Sequence, residues 1–125
     1  MERRKAKPNI FCLVDIYQNE LFVRCDEDLP TCDLLVVAGT SLVVSPANSL
    51  VYRVPEHTVR VIINNEPVGE EFGIDYGPKP ARDYFANGYS DEVFLDLIEE
   101  LGWLDDLKSH MDDLPPKSTD LIQSR

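Results

Sequence analysis

The chain has 125 residues, with 12 Lys and Arg against 23 Asp and Glu, for a formal net charge of −11. That length suits one small domain with a modest core, and so acidic a chain would be repelled by a duplex phosphate surface, which argues against nucleic-acid binding. No apolar run approaches the roughly 20 residues that a membrane span needs, and no apolar segment follows the basic amino terminus as in a signal peptide, so the expectation is a cytoplasmic or nuclear protein with no membrane partner.

Residues 1–6, with Arg3, Arg4 and Lys5, read as a flexible basic head. Ile10 to Val14 is a predicted strand, and Tyr17 to Asp28 a predicted helix with a thin apolar face. The next element is the most informative. Leu34-Leu35-Val36-Val37-Ala38 is an unbroken apolar run that stops at Gly39-Thr40-Ser41. A run without polar alternation predicts a parallel-sheet strand buried on both faces. Its small polar triplet then falls at the strand's carboxyl end, where open α/β sheets bind ligands.

Ser45-Pro46 predicts a helix start, a hydroxyl cap followed by proline in the first turn. Ala47, Leu50, Val51 and Val54 recur at helical spacing, and Pro55 stops the helix. Val59, Val61, Ile62 and Ile63 form a second strand that ends in Asn64-Asn65-Glu66. Strand, helix, strand is a βαβ unit. It sets Gly39-Thr40-Ser41 and Asn64-Asn65-Glu66 side by side on one rim.

The remaining elements are coarser. Glu70 to Pro80 is a loop broken by Gly73, Gly77, Pro78 and Pro80. Arg82 to Ala86 is a short strand. Ser90 is placed as the cap of a helix with Asp91 and Glu92 in its first turn and Phe94, Leu97, Ile98 and Leu101 as its apolar stripe. Gly102 ends it, with Trp103 as the hydrophobic partner of a Schellman motif. Leu104, Leu107 and Met111 suggest one more short helix. Trp103, Phe94 and Tyr84 are expected in the core. Residues 115–125 read as a disordered polar tail. The fold class is therefore α/β: a partial doubly wound, Rossmann-like parallel sheet with flanking helices.

The rim has a readable chemistry. Glycine at position 39 lets a ligand approach the backbone. Thr40 and Ser41 offer hydroxyls and backbone N–H groups to phosphate or ribose oxygens. Asn64 and Glu66 can accept hydrogen bonds from ribose hydroxyls. A tight turn with ordinary polar loop ends would look the same, because a fold does not fix a function.

Gly39-Thr40-Ser41-Leu42-x-Val44-x-Pro46, followed by Ile63-Asn64-x-Glu66, resembles the C-terminal Rossmann half of the sirtuins, NAD-dependent protein-lysine deacylases. Leu95-x-Leu97-Ile98-x-x-Leu101-Gly102-Trp103 is similar to the closing helices of the cytoplasmic-type eukaryotic branch. The resemblance runs from about Lys7 to Leu107. It implies NAD as cofactor, with Gly39, Thr40 and Ser41 at its phosphates and nearby ribose. Asn64, Asn65 and Glu66 would lie at the adenosine ribose. Ser90 takes the position of a cysteine that borders adenine in many members. An acylated basic peptide, such as a histone tail, is the implied partner.

The departures from that family are as informative. The sequence holds no glycine-rich alanine-glycine loop and no histidine in a His-Gly setting, so no catalytic residue is assigned. His57 and His110 read as surface histidines. Cys12, Cys25 and Cys32 lack the paired Cys-x-x-Cys spacing of the family's structural zinc, so they read as reduced, buried or half-buried thiols and no metal ligand is assigned. Lys7-Pro8-Asn9-Ile10 resembles the start of the family's peptide-pairing strand, but Phe11-Cys12-Leu13-Val14-Asp15 replaces its continuation. Three readings stay open: a deacylase fragment that retains part of the NAD site, a non-catalytic interaction module or truncated regulatory product, and an unrelated nucleotide-binding α/β domain.

Overall fold

The computed structural model describes residues 18–125, so the basic head, the predicted strand at Ile10 to Val14, and Cys12 lie outside the described residues. In chain order the elements are α1 (Gln18–Asp28), β1 (Leu34–Ala38), α2 (Leu50–Arg53), β2 (Val59–Asn64), β3 (Asp83–Asn87), α3 (Ser90–Glu100), α4 (Leu104–Lys108) and α5 (Pro116–Gln123). The strands form a three-stranded parallel sheet in the order β1-β2-β3. This is an α/β fold with flanking helices, a partial Rossmann-like architecture.

The register decides what each face carries. Leu35, Arg60 and Asp83 lie in one row, and Val37, Ile62 and Phe85 in the next. On this face the core assembles: Leu42, Val51, Ile62, Val68 and Ile74 are buried together, with Leu35, Val37, Phe72, Tyr76 and Phe85 packed against them. The Tyr76 ring meets Phe85 edge-on, with centroids 5.2 Å apart. Its hydroxyl donates to the Val68 carbonyl (2.6 Å) and accepts from the Val68 N–H (3.1 Å), closing the loop between β2 and β3. Burial is the main cause that pushes the Tyr76 phenol above its usual range.

The opposite face is only partly covered. Ile63 is buried, and α3 contacts β2. Leu34, Val36, Val59 and Tyr84 are exposed. The expectation that β1 is buried on both faces is therefore wrong: β1 alternates exposed and half-buried residues along its length. Apolar continuity records the strand's chemistry, but burial depends on whether a layer lies over each face.

Four local readings also change. Ser45 does not cap a helix. A 3-10 turn at Ala47–Ser49 precedes the short α2, no side chain caps either, and the Ser49 hydroxyl donates to the Pro46 carbonyl at 2.7 Å. The apolar face still enters the core through Val51 and Val54. Ser90 is the first residue of α3 rather than its cap; Tyr89 holds the cap position with an extended backbone. The α3 stripe faces solvent at Phe94, Leu97 and Leu101, while Leu95 is the buried residue. Trp103, Phe94 and Tyr84 are exposed, not core.

The tail reading also gives way, since α5 occupies Pro116–Gln123 and buries Ile122. Proline fits the first turn of a helix, where its missing N–H is not needed. Arg125 then bonds Asp96 and Glu99 of α3. The Schellman ending of α3 is present: Gly102 has φ +71°, its N–H donates to Glu99, and the Trp103 N–H donates to Ile98 at 2.9 Å.

A buried ion pair, invisible in the residue pattern, ties these parts together. Arg60 and Asp83 are cross-strand partners. The guanidinium donates twice to the carboxylate, at 2.5 and 2.6 Å, and also to the Val51 carbonyl (2.7 Å) and the Gly73 carbonyl (2.9 Å). The Asp75 N–H donates to the same carboxylate at 2.8 Å. Burial alone would raise the Asp83 carboxyl, but the Arg60 guanidinium and the Asp75 N–H outweigh it and hold the group below the usual carboxylate range. One pair thus joins β2, β3, α2 and the loop after β2.

Candidate functional site

The carboxyl ends of the three parallel strands open into a cleft of about 270 Å³ lined by Gly39, Thr40, Ser41, Ile63, Asn64, Asn65, Glu66, Gly88, Tyr89 and Ser90. All seven residues singled out from the sequence line this one cleft: six enter it from a strand end or the loop just after it, and Ser90 from the first turn of α3. The parallel register brings them together. Gly39 donates its N–H to Ile63, and Gly88 donates to Asn64, so the ladder continues across the rim.

Gly39 has φ +65°, a conformation that side chains rarely adopt, and it lets the chain turn out of β1. A Cβ built there would stand 4.0 Å from the Ser90 hydroxyl, so the two loops approach closely across the cleft. The Thr40 hydroxyl accepts from the Leu42 N–H at 3.1 Å, fixing the turn. Leu42 itself has φ +56° and lies buried in the core. Its side chain anchors the turn from beneath, leaving Thr40 and Ser41 exposed.

The two rims are physically joined. The Asn64 side-chain amide donates to the Thr40 carbonyl at 2.8 Å, and its oxygen accepts from the Asn65 N–H at 2.8 Å. Asn64 is therefore first a clamp between the loops, which leaves one amide N–H and one oxygen lone pair uncommitted. Asn65 and Glu66 are exposed. Among the described residues the cleft is lined by one carboxylate, several neutral donors and no cationic side chain.

Sequence reasoning passed over Ile63, Gly88 and Tyr89. The available signal was the third strand: if ligands gather at the carboxyl ends of parallel strands, then Asn87-Gly88-Tyr89 belongs to the rim as much as the first two loops do.

The histidines lie elsewhere on the surface. His57 is exposed and 3.3 Å from Asp33, and His110 is exposed beside the Asp106 carbonyl. Cys25 is buried and Cys32 half-buried, both as free thiols. Burial is the main cause that pushes the Cys25 thiol up, away from the reactive thiolate. Among the described residues, no group of three or more His, Cys, Asp or Glu is placed to hold a metal ion. Nor is any described helix long and apolar enough to cross a membrane.

A larger groove of about 730 Å³ runs between α3 and α5, lined by Phe94, Leu95, Ile98, Leu114, Leu121 and Ile122 among others. It shares no residue with the rim, and its lining is more apolar than polar.

A parallel sheet with a glycine turn and polar loops at its carboxyl rim defines the class: part of a Rossmann-like α/β domain. No protein-family model matches the chain. Comparison with curated proteins shows homology to the sirtuin NAD-dependent deacetylases. The chain is 33% identical over 131 residues to the NAD-dependent protein deacetylase sirtuin-2 of Danio rerio, covering 96% of this chain and 34% of that protein. It is 34% identical over 98 residues to the NAD-dependent histone deacetylase SIR2 of Saccharomyces cerevisiae, covering 78% of this chain and 16% of that one. With the NAD-dependent protein deacetylase hst2 of Schizosaccharomyces pombe the identity is 34% over 106 residues, covering 85% and 30%. The chain thus spans about a third or less of the curated relatives it matches.

Proposed function

We propose that the cleft at the strand ends binds the sugar-phosphate part of NAD, and that the chain is a sirtuin-type deacetylase segment retaining part of the cofactor site. The observation that carries this reading is the convergence of Gly39, Thr40, Ser41, Asn64, Asn65, Glu66 and Ser90 on one cleft, with the first two loops bonded to each other. The cleft's size supports a partial site. About 270 Å³ falls just under the roughly 300–1,000 Å³ of pockets that enclose a whole ligand.

In this reading the Gly39 turn lets a phosphate approach the backbone, Thr40 and Ser41 donate to it, and Glu66 and Asn65 accept from ribose hydroxyls. When bound, NAD supplies the ADP-ribose to which a sirtuin-type reaction transfers the acyl group. The zinc implied by the family resemblance finds no donor set among the described residues, and no step is assigned to it. Lacking a histidine in the family's catalytic setting, the chain by itself does not deacylate; loss of a general base commonly costs about 10²–10⁴-fold. An acylated basic peptide, such as a histone tail, is the partner once the remainder of a sirtuin-type site is supplied. A cytoplasmic or nuclear location follows from the same reading.

A second reading, a non-catalytic interaction module, is favoured by the exposed outer face at Leu34, Val36, Val59 and Tyr84, because parallel sheets are usually covered on both sides. Titration calorimetry of the purified chain with NAD and ADP-ribose separates the two. Saturable heat that disappears in a T40A/S41A variant supports the cofactor reading. No heat with either ligand leaves the interaction module standing. NAD-dependent loss of acetyl groups from a peptide, with the purified chain alone, would overturn the claim that it is inactive by itself.

A further inference from the structure

Tyr89 is the one aromatic residue lining the cleft among the described residues, and it is 66% exposed. It precedes α3 with an extended backbone, φ −71° and ψ 138°, so it stands outside the helix at the cleft's edge beside Gly88 and Ser90. Tyr76 pairs with Phe85 and Tyr52 with Phe72, while Tyr84, as exposed as Tyr89, lies away from the cleft. Among the described residues Tyr89 has no aromatic partner and its hydroxyl has no hydrogen bond. A large ring left in water beside a polar cleft is apolar surface awaiting a flat partner.

The charge balance points the same way. Among the described residues no Lys or Arg lines the cleft, Glu66 does, and the chain carries a net charge of −11. From the described residues a phosphate here gains hydrogen bonds from neutral donors but no ionic attraction. A ligand that binds this cleft needs a further favourable contact, and base stacking on an aromatic ring supplies one that is independent of charge.

We propose that Tyr89 forms a stacking wall for the nucleobase, so that the cleft selects base-bearing nucleotides over bare sugar phosphates. This rests on the nucleotide reading of the same cleft, and extends it to a residue that recognises the base rather than the sugar or phosphate.

The test is calorimetric titration of the wild-type chain, Tyr89→Phe and Tyr89→Ala with ADP-ribose, AMP and ribose 5-phosphate. Wild type should bind ADP-ribose and AMP more tightly than ribose 5-phosphate. Tyr89→Ala should weaken ADP-ribose and AMP by about tenfold, leave ribose 5-phosphate unchanged, and melt like wild type because the side chain is exposed. Tyr89→Phe should keep the affinity. Equal weakening of all three ligands by Tyr89→Ala, or unchanged binding of ADP-ribose, overturns the proposal while the sugar-phosphate reading survives. Wild type binding ribose 5-phosphate as tightly as ADP-ribose overturns it in the same way. Binding of none of the three overturns both readings together.

Discussion

Asp83→Asn should be among the most damaging single substitutions in this chain, although it leaves every residue of the candidate cleft untouched. Arg60 and Asp83 are 2% and 7% exposed, and the guanidinium meets the carboxylate through two bonds of 2.5 and 2.6 Å. The amide of asparagine can accept only one of them and carries no charge. The Arg60 cation would then sit in the interior without a counter-charge, and breaking a buried pair from one side costs about 3–5 kcal/mol. A small domain has roughly 5–15 kcal/mol in total, so between a fifth and all of the stability would go. Urea unfolding followed by far-UV circular dichroism measures the loss directly. The double variant Arg60→Met with Asp83→Leu should lose less than Asp83→Asn alone, because it removes both charges. It should still fall short of wild type, because the Val51 and Gly73 carbonyls and the Asp75 N–H lose their partners. An Asp83→Asn variant within about 0.5 kcal/mol of wild type, the range of ordinary surface changes, would refute the reasoning.

The remaining predictions concern acid and the loop glycines. Because the folded Asp83 carboxyl lies below its unfolded value of about 3.9, its contribution is complete above that pH and is lost as pH falls through the folded value. Urea midpoints measured across acid pH should therefore fall more steeply for wild type than for Asp83→Asn, and parallel curves would contradict this. Gly69→Ala should destabilise by about 2 kcal/mol and weaken ADP-ribose binding: φ is +80°, and the new Cβ would stand 2.8 Å from both Leu42 and Ile74. Pushing Leu42 moves the turn that carries Thr40 and Ser41. Gly73→Ala is the control, since φ is +88° but the space is open. It should cost only the backbone strain, about 1–2 kcal/mol, and leave ligand binding unchanged; equal binding by both variants would sever the link between the Gly69–Leu42 contact and the rim.

How much was legible depended on the range of the signal. Leu34 to Ala38 and Val59 to Ile63 announced themselves because an apolar run ended by glycine or asparagine needs no partner to be recognised. The Gly102-Trp103 ending was equally local, set by one residue able to take positive φ. Burial was not local. The same apolar run predicted a doubly covered β1, yet Leu34 and Val36 are exposed because the helices flanking the sheet leave that part of its face open. Phe94, Leu97 and Leu101 keep helical spacing without finding a surface to bury them, and Tyr84 and Trp103 are likewise open to solvent. In the other direction, the polar run after Pro115 looked unable to fold until α5 met α3, buried Ile122 and brought Arg125 to Asp96.

By itself the sequence determined the local alphabet of this protein: which segments are strands, where they stop, and that glycine, hydroxyl and amide groups stand at their ends. Short-range sterics and apolar periodicity suffice for that. Only the tertiary structure decided that Arg60 faces Asp83, that Asn64 spends its amide on Thr40, and that Tyr89 joins the rim. Each of those depends on strand register, and a register is a relation between distant segments that no single segment contains.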